Sequence, residues 1–300
     1  MMPARTMSPH LDRRSRVVVL PTLSSTSQAH LRWRVPHPRL EPFVVGHWVR
    51  SANFQPSEPT AQFLRFPCVN LLGDADSISV QGLQLTRFSL PGSDRSVVYG
   101  TNLRPGAFAA FTAYPRPLLN DRRVPLQVVF GTAGWRVSNE LTAAAGREDE
   151  DRYFDQLERF LLSREPRVDA RYALVREVES AMLDGSGGES VGGLAQQSGV
   201  SLSTLQRAFV SCVGVTPKWM LRRYRLQRAV ERLSTAALID MASLAVDLGY
   251  CDQAHFTRDF REEVGMPPGE YLRACRARGE SHQREGDRSL STWDRCLPAQ

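Results

Sequence analysis

The sequence predicts an α+β protein, with a mainly-β front half and an all-α back half. Three observations predict it. Between about 29 and 131, apolar residues alternate over short runs separated by turn residues. From 137 onward the apolar spacing changes to the three-and-four pattern of amphipathic helices. Near the end, GYCDQAHFTRDFREEVGMPPGEYL (249–272) repeats in altered form SGVSLSTLQRAFVSCVGVTPKWML (198–221).

Taken in chain order, residues 1–28 are rich in Arg, Ser and Pro and are expected to be largely disordered, apart from a strand at Val17–Leu20. QFLRFPCVNLLG (62–73) and SISVQGLQLTRFSL (77–90) alternate apolar with polar residues and predict strands, with Gly82 marking a bulge or turn. SVVYG (96–100) and LQVVF (126–130) are further strand candidates. RPGAFAAFTAYPRPLLND (104–121) predicts a short helix ending before Pro115. In the helical half, Tyr153, Leu157, Phe160 and Leu161 fall on one stripe, and the acidic run Asp149, Glu150, Asp151 reads as a solvated helix start. Pro166 ends that helix. The expected divisions are an extension over 1–28, a β-rich domain with a terminal helix over 29–165, a helical domain over 166–280 and a flexible tail over 281–300.

The repeat is one supersecondary unit used twice. LAQQSGV (194–200) aligns with LAVDLGY (244–250) at an offset of 50, and LQRAFVSCVGVTP (205–217) with FTRDFREEVGMPP (256–268) at an offset of 51. The second turn therefore holds one extra residue. Each unit reads as helix, glycine turn, helix. Gly199 supplies a positive φ, Ser201 and Asp252 are cap candidates, and Leu205, Phe209, Phe256 and Phe260 anchor the second helices inward. Ser203, Gln206 and Arg207, and Gln253, Ala254, Thr257 and Arg258, then face outward. Such a helix fits the major groove of B-DNA, where Gln reads adenine and Arg reads guanine. Between the units, Pro217 opens a single long helix whose Leu226, Ala229, Val230 and Leu233 form its buried stripe. Arg225, Arg228 and Arg232 lie on another arc, as a solvated face or as phosphate contacts.

These residues resemble the AraC/XylS family of bacterial transcription regulators. The likeness is carried by LAVDLGYCDQAHFTRDFREEVGMPPGEYLR (244–273) and covers about 168–276. It implies that the fold is a mainly-β regulatory domain followed by an all-α double helix-turn-helix that binds double-stranded DNA. It also implies that Ser203, Gln206, Arg207, Gln253, Thr257 and Arg258 meet the DNA. LRPGAFAAFTAYPRPLLNDRRVPL (103–126), with FPCVNLLG, resembles an uncharacterised group of regulatory domains fused to such readers. By that resemblance the front half senses a small-molecule effector or a partner, or only pairs chains into a homodimer. RNA polymerase is the further partner expected of a transcription activator in the cytoplasm. This sequence departs from the family pattern in two ways. Gly192 and Gly193 sit in the first unit's leading helix, and the second unit is acidic through Asp247, Asp252, Asp259, Glu262 and Glu263.

Charge fits this reading without requiring it. The net charge is +6, and residues 201–230 hold six basic groups and no acidic one. No apolar run reaches the roughly 18 residues of a membrane helix, and the one short run near the start is too short for an export signal. Five scattered cysteines without CxxC spacing suggest neither zinc nor a redox pair. His30, His37, His47 and Cys68 lack compact ligand spacing, so no metal or other cofactor is expected. His255 reads as a helix-start residue that packs or touches the DNA backbone. No nucleophile–base set, phosphate loop or HExxH is present, so the chain is not expected to be an enzyme.

Overall fold

A computed structural model describes residues 17–19, 29–52, 62–65, 68–85, 88–89, 96–185, 190–235 and 238–277. The expectations for the rest of 1–28 and for 281–300 lie outside these residues. The chain forms two compact units, Met1–Tyr224 and Arg225–Gln300.

The first unit is built on antiparallel sheets. β1 (Val17–Val19), β4 (Gln62–Arg65) and β7 (Phe88–Ser89) make a small one in the order β1-β4-β7. The larger sheet has the order β2-β3-β8-β5-β6-β9, with β2 Ala29–Arg34, β3 Val44–Ala52, β5 Asn70–Gly73, β6 Ile78–Gln81, β8 Ser96–Leu103 and β9 Arg123–Pro125. One face carries a tight aromatic–glycine row. Trp33 pairs with Trp48, and Trp48 with Gly100. A β-carbon on Gly100 would lie 2.0 Å from the Trp48 ring, and the indole is tethered by its Nε1 to Asn102 Oδ1 at 2.9 Å.

The other face is covered by α1 (Leu126–Ala145) and α2 (Glu150–Ser163). Leu71, Val80, Tyr99 and Leu103 of the strands pack with Leu126, Val137 and Leu141 of α1, and with Tyr153, Phe154, Leu157 and Leu161 of α2, in one hydrophobic core. The predicted α2 stripe is buried, and Asp149 caps the helix by accepting from the Arg152 amide. α1 is broken at Gly131, whose φ of 62° and ψ of −141° are open only to glycine.

Within that core sits a polar cross-link. His47 of β3 is fully buried. Its Nδ1 lies 2.7 Å from Thr101 Oγ1 across the strand pair, and its Nε2 lies 3.0 Å from Glu158 Oε1 on α2. The His37 amide donates to the same carboxylate oxygen at 2.6 Å. Outside it, Arg34 pairs with Asp151 and Asp155, and Arg32 with Glu150, so the edge strand β2 is bound to α2. β9, at the opposite edge, is three residues long and ends in Pro125.

Three elements differ from expectation. LQVVF (126–130) opens α1 instead of forming a strand: Leu126 and Val129 are buried on its inner side, and a short apolar run fits either period. Residues 62–73 divide between β4 and β5, which belong to different sheets. The helix expected over 104–114 is only a 3-10 turn at Ala107–Ala110, entered through a left-handed Gly106, and a second turn follows at Arg116–Leu119. Gly82 lies where the chain leaves β6, and a β-carbon there would clash with the Leu119 carbonyl at 1.9 Å.

Two outcomes follow. Gly100→Ala has no room against a tethered indole and should cost roughly 1–3 kcal/mol or more in chemical denaturation. Burial alone would push the Glu158 carboxyl up, but hydrogen bonds from His47 and the His37 amide outweigh it and hold it below the usual range. A depressed carboxylate stabilises the fold above its unfolded pKa, about 4.3, and that contribution is lost as pH falls through the lower folded value. Glu158→Gln should therefore be less stable than the parent at neutral pH, with the two stabilities converging as pH drops below about 4. A constant gap in urea melts across that range would contradict this.

Candidate nucleic-acid interface

The helical half realises the repeated unit residue by residue. In the first copy, α4 (Val191–Gln197) is capped by Ser190, and α5 (Leu202–Cys212) by Ser201, whose Oγ accepts from the Thr204 amide at 3.1 Å. In the turn, the Gly199 amide donates to the Gln196 carbonyl and the Val200 amide to the Ala195 carbonyl. The second copy, α7 (Met241–Asp247) and α8 (Gln253–Val264), repeats these bonds at an offset of 50, from Gly249 to Val246 and from Tyr250 to Ala245. Asp252 then caps α8 from the His255 amide at 2.6 Å, at an offset of 51. That bond, first among its partners, holds the Asp252 carboxyl below its usual range. Cys251 is the extra residue. Gly199 and Gly249 have φ of 63° and 76°. A β-carbon on Gly199 would touch nothing within 4 Å, so the backbone, not space, asks for glycine there.

These turns sort the side chains. Leu205, Ala208, Phe209 and Cys212 of α5 are buried, as are Phe256, Phe260 and Val264 of α8. Ser203, Gln206 and Arg207 are exposed together on the opposite face of α5, with Arg207 Nε donating to the Ser203 carbonyl at 3.3 Å. On α8, Gln253 and Arg258 are exposed and Thr257 is half-buried. The six positions thus fall into two groups of three, one on each outer helix. His255 lies in the first turn of α8, edge-on to the Tyr250 ring and with its Nδ1 3.4 Å from Cys251 Sγ.

α6 (Pro217–Thr235) is the single long helix expected, with Leu226, Ala229, Val230 and Leu233 buried. Its basic residues are not equivalent. Arg223 is buried over the Trp219 ring, 4.8 Å from its centroid. Arg225 lies over the Tyr250 ring, and Arg232 forms an ion pair of 2.8 Å with Asp247. The pair neutralises one of the second unit's acidic charges.

A relation that sequence reasoning missed joins the first helix-turn-helix to the β-rich half. Cys68 and Leu83 share a hydrophobic cluster with Val175, Leu194, Leu205 and Phe209. A β-carbon on Gly106 would meet Cys212 Cβ at 3.3 Å and the Tyr172 ring at 3.4 Å. Tyr172, on α3 (Ala170–Asp184), stacks on Phe43 and donates its hydroxyl to the Pro42 carbonyl at 2.7 Å. Such contacts join residues far apart in the chain and leave no local pattern. Two further residues on the outer face of α5, Leu202 and Val210, are also exposed. The repeat could have pointed to Leu202, because it aligns with Gln253.

Comparison with known proteins places two families on the chain. A helix-turn-helix domain matches residues 194–274. A domain of unknown function, DUF6597, matches residues 33–125. An AraC-like transcription regulator of Streptomyces lividans is 35% identical over 82 residues, a match spanning 27% of either chain. Among solved structures, the DNA-binding domain of AdpA in complex with a target DNA is 28% identical, covering 35% of this chain and 94% of that one with a TM-score of 0.32. ToxT from Vibrio cholerae is 12% identical, covering 84% and 99% with a TM-score of 0.38.

Because Cys68 and Leu83 complete the first unit's core, the fragment 167–280 should lose protection in α3 and α5 relative to the intact chain. Amide hydrogen exchange on both proteins measures this. Equal protection would mean that the front half adds nothing to that core.

Proposed function

We propose that this chain, whose residues 194–274 match a helix-turn-helix domain, is an AraC-type DNA-binding transcription regulator that reads a specific operator with two heads. Ser203, Gln206 and Arg207 of α5 meet one part of the site, and Gln253, Thr257 and Arg258 of α8 meet another. The observation that carries the reading is the duplicated turn, which leaves a glutamine or threonine beside an arginine at the same place on both outer helices, with the apolar faces turned away. Gln can take adenine through its N6 and N7 edge, and Arg can take guanine through O6 and N7.

Residues 29–165 set when the heads bind, in response to a small-molecule effector or a partner, and RNA polymerase is the partner on the promoter side. The turn at Gly106 favours a signalling front half over one that only pairs chains, because it rests on Cys212 at the end of α5. A change in the front half thus has a packed route to the first head.

Sequencing the genomic fragments that the full chain retains tests the function directly. A set of fragments without a shared site would defeat sequence-specific reading.

Affinity for the retained site should fall steeply between low and moderate salt, since arginines displace counterions from phosphates. The heads should also contribute unequally. Residues 201–230 carry no acid, whereas 240–263 carry six acids against Arg258 and Arg261. Arg207→Ala should cost roughly 1–3 kcal/mol of specific binding, and Arg258→Ala less. Both are measured on one operator at fixed salt. A larger loss at Arg258 would show that acids such as Asp247, already paired with Arg232, do not weaken the second head.

A further inference from the structure

The outer face of α5 holds more than its polar residues. Leu202 is 46% exposed and Val210 53% exposed. They stand four residues before and four after Gln206, so the three side chains form one row along the helix. The rest of that face is Ser203 and Arg207, and the remaining aliphatic and aromatic residues of α5 point into the core. Single exposed aliphatics are ordinary on a protein surface. Two that bracket a base-reading glutamine on one row are placed where a duplex would cover them.

The internal repeat supports the same placement. At the offset of 51, Leu202 corresponds to Gln253 and Val210 to Arg261. The second head therefore has polar, hydrogen-bonding side chains at both positions, and the first has aliphatic ones. The edges of the major groove offer a buried aliphatic side chain one complement, the C5-methyl group of thymine. A phosphate or a base carbonyl there would be desolvated without a partner.

We propose that Leu202 and Val210 read thymine methyl groups on either side of the base contacted by Gln206, so that the first head prefers an A·T-rich step and the second does not. This rests on α5 being a DNA-reading helix, and it adds two specificity-determining residues to that helix. Gln206 on adenine and the flanking aliphatics on thymine methyls would select the same kind of base pair from both strands.

The test uses the full chain and the duplex it selects from a randomised library. That duplex is synthesised with thymine and, one position at a time, with deoxyuridine, which removes only the methyl. The parent should bind about fourfold more weakly for each contacted methyl lost, the worth of one buried methylene-sized group. In Leu202→Ala one of these penalties should vanish, and in Val210→Ala another, while circular dichroism stays unchanged because alanine suits a helix. A parent indifferent to deoxyuridine at every position overturns the proposal, and so do penalties that persist in both variants. Gln206→Ala and Arg207→Ala separate this from the underlying reading. If they weaken binding while deoxyuridine does not, α5 reads DNA without the methyl contacts. If neither weakens binding, α5 is not the reading helix, and the proposal falls with it.

Discussion

The left-handed backbone at Gly199 and Gly249 is the constraint on which the placing of the two outer helices depends. A helix that ends in that conformation can be followed at once by a second helix at a steep angle, and the next residue but one, Ser201, or but two, Asp252, caps it. With direction fixed by the turn and start fixed by the cap, the rotation of α5 and α8 follows from their anchors. Leu205 and Phe209, or Phe256 and Phe260, can be buried only if the opposite arc faces out. The identity of the outer residues is then free to vary, which is why one fold can carry a leucine at 202 and a glutamine at 253.

The two copies share this local logic but not their surroundings. The first has its core completed by Cys68 and Leu83 and its last turn pressed on Gly106. The second is held by its own aromatic chain, in which Phe256 contacts Phe260 and Phe260 contacts Tyr271. Its acids are partly neutralised at home, Asp247 by Arg232 and Asp252 by the α8 amides. A shared blueprint has thus been fitted to one core that two front-half residues complete and to another built on its own aromatic rings.

Most of the back half was legible because its signals are local. The turn glycines, the capping Ser201 and Asp252, the buried row of α6 and the stripe of α2 each lie within a few residues of the feature they determine. The front half was less so. VVF in 128–130 suits a strand or a helix, and only the packing of Leu126 and Val129 decides between them. The assignment of β4 and β5 to different sheets depends on pairing with strands many residues away. Of the site, the polar residues were visible as a pattern. The exposure of Val210 was not, because an aliphatic side chain in sequence looks like core, and for Leu202 only the alignment with Gln253 hinted at it.

The edges of the six-stranded sheet also limit how copies of this chain can meet. β2 is rich in basic residues, with Arg32 and Arg34 committed to α2, and β9 is short and ends in a proline that has no amide hydrogen to donate. Neither edge invites another strand. Pairing of copies through either edge of that sheet, into a continuous intermolecular sheet, is therefore disfavoured by the same residues that fasten one edge to α2 and cut the other short.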